Sequence, residues 1–143
     1  MNNRASNISH EISVKASTEN LAVVRSALEE FALLCGANLN AVFDLQLAVD
    51  EAFTNIIKHA YNNDENQIVH ISMFEENGRI VVQLTDSGKG FDVTNYKKPD
   101  VQSRIKQKKR GGVGVYLMTK LMDEVSFNKQ QGHNVITLAK HLF

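Results

Sequence analysis

The sequence predicts an α+β fold, a two-layer sandwich in which helices cover one face of a mostly antiparallel mixed sheet. Three observations carry the prediction. Apolar residues alternate with period two near the start of the chain and again from 68 to 84. Between Leu21 and Tyr61 two long stretches repeat them at helical spacing instead. The patterns run in the order β-α-α-β-β-α-β-β, with no internal repeat and no boundary, so residues 1–143 read as one domain.

The first strand covers 8–16, where Ile8, His10, Ile12, Val14 and Ala16 share one side. Ser17 or Thr18 then caps a helix with Glu19 in its first turn. Leu21, Val24, Leu28, Phe31 and Cys35 form its core stripe, and Gly36 stops it. Cys35 on that stripe reads as a small buried hydrophobe rather than a reactive thiol. A second helix begins after Asn40 and runs to about Tyr61 or Asn62. Its apolar residues, from Val42 to Ala60, cover most of the circumference, which marks a buried helix. Val69, Ile71 and Met73 then share a strand face, Glu75-Glu76-Asn77-Gly78 turns the chain, and Ile80, Val82 and Leu84 resume the alternation. A short helix follows Gly111-Gly112-Val113-Gly114. Strands at about 124–129 and 134–142 close the fold through Gln130-Gln131-Gly132-His133.

Composition narrows the function. Hydrophobic residues make up 43% and charged residues 22%, which excludes a disordered or low-complexity chain. Sixteen basic residues balance sixteen acidic ones, so no whole-molecule charge calls for nucleic acid or a membrane. The single cysteine forbids an internal disulfide and fits a reducing compartment. The polar start lacks the apolar core of a signal peptide, and no apolar run reaches the ~20 residues of a membrane span. The expectation is a small cytoplasmic domain. The charge is nevertheless unevenly placed: the segment from Lys97 to Arg110 carries a net +6 and holds the only proline, Pro99. It reads as a mobile basic loop, or else as a solvated charge run.

Three short motifs carry chemistry. Glu51, Asn55 and His59 stand four apart on the second helix, so they line one stripe. There Glu51 can serve as a general base and Asn55 can offer a hard oxygen to Mg²⁺, unless both merely cap loops or face solvent. Asp86 continues the row of Ile80, Val82 and Leu84, and a carboxylate on a core-facing row is costly without a partner. Ser87-Gly88-Lys89-Gly90 follows it, and its glycines admit a flat ligand close to the backbone. An acceptor carboxylate in that setting suits the exocyclic amine of adenine, although Asp-Ser-Gly is also an ordinary turn. Gly112-Val113-Gly114 at a helix start exposes N–H groups that bind phosphate, with Arg110 as countercharge. Other sites are struck out. The chain has no G-x-x-x-x-G-K-[ST], no H-R-D or D-F-G and no H-E-x-x-H, and its first glycine pair does not open a helix at once.

In this order and spacing the three motifs, Glu51 to Asn55, Asp86 to Gly90 and Arg110 to Gly114, resemble the ATP site of the GHKL superfamily, the Bergerat fold. Within it, the stretch from Asp50 through Tyr61 and the C-terminal strands look most like bacterial anti-sigma-factor serine/threonine kinases. The resemblance implies that Glu51 is the catalytic base and that Asn55 holds Mg²⁺. It implies that Asp86 binds the adenine amine while Gly88 and Gly90 shape the base pocket. Arg110, Gly112, Val113 and Gly114 would hold the phosphates of ATP, and residues 93–110 would form the ATP lid. The lid departs from the pattern in lacking a threonine pair and in its density of Lys and Arg.

Carried further, the resemblance implies a homodimer that sequesters a sigma factor and phosphorylates a serine of an anti-anti-sigma (antagonist) protein. Two other readings are open: an ATP-binding regulatory module without phosphotransfer, and a detached histidine-kinase catalytic domain, which the lack of a phosphoacceptor helix before the site disfavours. The first helix leaves Arg25 and Glu29 outside its core stripe. Arg25 is then either an anchor for a protein partner or one half of an i,i+4 surface pair with Glu29.

Overall fold

The computed structural model describes residues 8–88 and 111–143, with the backbone alone for 111–114. Strand β1 (Ser9–Lys15) leads through a 3₁₀ turn (Thr18–Asn20) into helix α1 (Leu21–Leu34). Helix α2 (Leu39–Asn55) continues into a π-helical turn (Ile56–Ala60). Then come β2 (Ile68–Glu76), β3 (Arg79–Asp86), α3 (Gly111–Leu121), β4 (Glu124–Gln130) and β5 (His133–His141). The order of elements is the one the periodicities predict.

The five strands form one sheet in the order β1-β2-β3-β5-β4. Every neighbouring pair is antiparallel, so the expected mixed character is absent from the described strands. Two-residue turns set the register of both hairpins. Asn77 and Gly78 take φ of 54° and 77°, and Gln131 and Gly132 take 50° and 83°, which matches the right-handed twist of the flanking strands.

The helices lie on one face of this sheet. Val69, Ile71 and Met73 of β2 and Ile80, Val82 and Leu84 of β3 point into the core, where they meet Val24, Leu28, Leu45 and Phe53. Helix α2 is the central one, packed against both α1 and α3. Its start is capped by Asn38, whose side-chain oxygen accepts the Ala41 N–H at 2.8 Å. Cys35 packs against the core half-buried, and burial pushes its thiol up to about 11, which keeps it protonated and unreactive at neutral pH. Among the described residues no helix is long and apolar enough to cross a membrane.

Two expectations change here. The Arg25–Glu29 surface pair, one of the two readings of Arg25, gives way to a link between helices: the Arg25 guanidinium donates to both carboxylate oxygens of Asp50, at 2.7–3.0 Å. Arg25 is half-exposed, so the pair contributes about 0.2–1 kcal/mol as it links α1 to α2. The second change is the π turn. Tyr61 N–H reaches back five residues to the Ile56 carbonyl at 3.0 Å, which shifts the helical phase after Asn55. Asn55 is buried and His59 exposed, so the single stripe expected of Glu51, Asn55 and His59 ends at Asn55.

Candidate functional site

Asp86 is the last residue of β3 and one of three buried polar residues among those described, 3% exposed at the end of the core-facing row. Two hydrogen bonds offset the cost of burying it, and both fall on Oδ1: one from the Gly88 N–H at 2.9 Å, one from Asn134 Nδ2 at 2.8 Å. Asn134 lies opposite Asp86 in the β3–β5 register, and the same amide group also donates to the Gly88 carbonyl at 3.1 Å. One side chain thus ties the carboxylate and the loop behind it into a rigid unit. Beside it, Ser87 Oγ and His133 Nδ1 lie 2.8 Å apart.

Tyr61 joins this unit to the end of the π turn. Its hydroxyl donates to the Ile68 carbonyl at 2.8 Å and accepts the Ser87 N–H at 2.7 Å. Gly88 then lies directly against the same segment. A Cβ placed on Gly88 would sit 2.3 Å from the Ala60 carbonyl oxygen and 2.7 Å from its carbon. These are backbone atoms that cannot swing away, so only glycine fits. Gly88→Ala is expected to destabilise the chain by about 1–3 kcal/mol and to lower Tm by several degrees in a thermal melt. An unchanged Tm would show that the contact is not tight.

The contacts of Tyr61 and Gly88 bring the second motif against the continuation of the helix that carries the first. Glu51 is half-buried on α2 and has no hydrogen-bond or ionic partner among the described residues. One turn later Asn55 is 8% exposed, and its Nδ2 has no hydrogen-bond partner among the described residues. A buried amide left unpaired costs about 1–3 kcal/mol, which is the mark of a group kept for a ligand. The third motif opens the remaining helix: Gly112, Val113 and Gly114 lie in the first turn of α3, which packs on α2. Gly90, Arg110 and the expected lid at 93–110 lie outside the described residues.

Asn134 and Tyr61 have no part in the motif reading. A polar residue two places after a hairpin glycine, directly across from Asp86, is a pairing that only strand register reveals. Tyr61 is visible in sequence as the end of a helix, but not as the link to Ser87.

The chain belongs to the histidine kinase-like ATPase domain family, whose pattern matches residues 14–140, and the GHKL resemblance is thereby borne out. It is similar to the serine-protein kinase RsbW of Bacillus subtilis (strain 168), 35% identical over 134 residues, covering 90% of this chain and 81% of that protein. RsbW of Oceanobacillus iheyensis is 31% identical over 136 residues, with coverage of 92% and 85%. Among solved structures, the RsbU and RsbW domains of a Mycobacterium tuberculosis protein superpose with a TM-score of 0.68 at 18% identity, covering 95% of this chain and 33% of that one. The SiaB–SiaC complex from Pseudomonas aeruginosa gives 0.65 at 17% identity, with coverage of 91% and 88%. At those identities the structures speak for the fold.

Proposed function

We propose that the chain is an ATP-dependent serine/threonine protein kinase that acts as an anti-sigma factor, binding a sigma factor and phosphorylating a serine of an anti-anti-sigma protein. The observation that carries the ATP reading is the clamped Asp86: with Oδ1 engaged twice, Oδ2 is the oxygen left to accept a hydrogen bond from the adenine amine. The kinase step rests on Glu51, half-buried and without a structural partner, one turn from Asn55. In this reading Glu51 takes the proton of the acceptor serine as its oxygen attacks the γ-phosphorus, the bond from that phosphorus to the β–γ bridging oxygen breaks, and ADP leaves with that oxygen. The first turn of α3, at Gly112 to Gly114, offers N–H groups to the phosphates, and the resemblance adds Arg110 as their countercharge. The sigma factor, the anti-anti-sigma substrate and a homodimeric state come from the resemblance and from relatives named serine-protein kinases.

Asn55 fits Mg²⁺ through its amide oxygen, a hard ligand, while its unpaired Nδ2 is a donor that suits an acceptor such as a phosphate oxygen. Among the described residues no three acidic or imidazole groups gather there, so the other ligands would be water and phosphate oxygens, the usual Mg²⁺ set. When bound, the ion neutralises charge on the phosphates. Asn55→Ala is therefore expected to abolish the strengthening of ATP binding by Mg²⁺. Calorimetry with and without EDTA checks this; an undiminished Mg²⁺ effect in the variant would place the ion elsewhere.

The kinase reading itself is tested by incubating the chain with γ-labelled ATP and candidate antagonist proteins encoded by the same organism. Label on a serine of one antagonist supports it. ATP bound without any transfer would leave the regulatory module that controls its partner through shape alone.

A further inference from the structure

Helix α2 turns two faces to its surroundings, and only one of them is used by the fold. Ala41, Leu45, Ala48 and Ala52 are buried on the inner face. On the outer face Leu39, Phe43 and Leu47 are 67%, 65% and 53% exposed. They stand four residues apart, and the same spacing continues through Glu51 to Asn55. Each four-residue step turns about 40° around a helix of 3.6 residues per turn, so the row begins in solvent and rolls into the site. Exposed apolar residues are ordinary when scattered, but a contiguous row of them marks a binding surface.

The charges beside the row say what fits it. Arg25–Asp50 on one flank and Lys140–Asp44 on the other are ion pairs, so the two cations are already spent. Glu51, and the exposed Glu29 one helical turn after Arg25 on α1, have no ionic partner among the described residues. An apolar row edged by free carboxylates complements an apolar segment edged by Lys or Arg. A second copy of the chain is disfavoured, because twofold pairing would set these carboxylates against themselves.

We propose that the Leu39–Phe43–Leu47 row is the docking track for the protein substrate. An amphipathic segment of that substrate, apolar at its centre and basic at its rim, lies along α2 and delivers the acceptor hydroxyl to Glu51. This rests on the kinase reading above. It assigns substrate recognition to the exposed start of the row, Leu39, Phe43 and Leu47, ahead of the two residues, Glu51 and Asn55, that the same row brings to the nucleotide.

The test uses the double variant Phe43→Ser/Leu47→Ser in the full chain, which keeps the buried face intact and should melt like the wild type. A dye-labelled synthetic amphipathic peptide of Leu and Lys serves as the first probe, with a Leu/Glu peptide of the same pattern as control. The wild type is expected to bind the Lys peptide at least about tenfold more tightly than the Glu peptide, and the variant to lose about tenfold or more. Equal binding by the variant, or equal binding of the two peptides, would overturn the proposal. So would light scattering that shows a wild-type dimer falling to monomers in the variant, which would give the row to a second copy. With the unphosphorylated form of the antagonist that accepts the label as the second probe, KM should rise about tenfold while kcat and ATP affinity hold; a fall in kcat alone would also overturn it. If the wild type transfers phosphate to nothing, the kinase reading fails, and the peptide titration still decides the track.

Discussion

Glu51→Gln is expected to lower phosphotransfer by about 10²–10⁴-fold while leaving ATP binding intact, the range a positioned general base contributes. Glutamine keeps the length and shape of the side chain but cannot take a proton at neutral pH. The structure makes this a clean substitution. Glu51 is half-buried and holds no described hydrogen bond or ion pair, so no structural contact is lost with its charge. Its neighbours Ala52 and Phe53 are fully buried and keep α2 in place. Single-turnover transfer of labelled phosphate measures the effect directly. Transfer at the wild-type rate would mean that positioning alone accounts for catalysis or that another group is the base.

Asp86→Asn is expected to weaken ATP binding by roughly ten- to a hundredfold, the equivalent of about 1.5–3 kcal/mol for a charge-assisted hydrogen bond. The clamp explains why the fold should survive. An asparagine carbonyl at the Oδ1 position still accepts from the Gly88 N–H and from Asn134 Nδ2. That choice places its own NH₂ where Oδ2 was, pointing a donor at the donor amine of adenine. The loss therefore falls on binding and not on stability. A calorimetric titration beside a thermal melt separates the two.

Much of this architecture is legible in the sequence because it rests on periodicity. Val69, Ile71 and Met73, and Ile80, Val82 and Leu84, announce their face, and Asn77-Gly78 announces the turn between them. Asp86 is legible for the same reason, since its place on a core-facing row forces a partner on it. What fills that need is not legible. Asn134 meets Asp86 only through the β3–β5 register, and 48 residues separate them. The π turn hides for a different reason. One extra residue in a helical turn leaves the hydrophobic pattern nearly unchanged but swings His59 away from Asn55. Arg25 likewise had a local candidate in Glu29, and the packing of α1 on α2 supplied a better one in Asp50. In each case local sequence showed the group and tertiary structure chose its partner.

The measurement that tests the central claim most directly is a paired titration of ATP and ITP into the wild type and into Asp86→Asn. ITP differs from ATP at the purine 6-position, where a carbonyl acceptor replaces the amine donor. If Asp86 Oδ2 reads that amine, the wild type binds ATP at least about tenfold more tightly than ITP, because two acceptors would otherwise face each other. The asparagine variant, with a donor in that place, should lose or reverse the preference. Equal affinity of the wild type for the two nucleotides, or a preference for ATP that survives the substitution, would contradict the account.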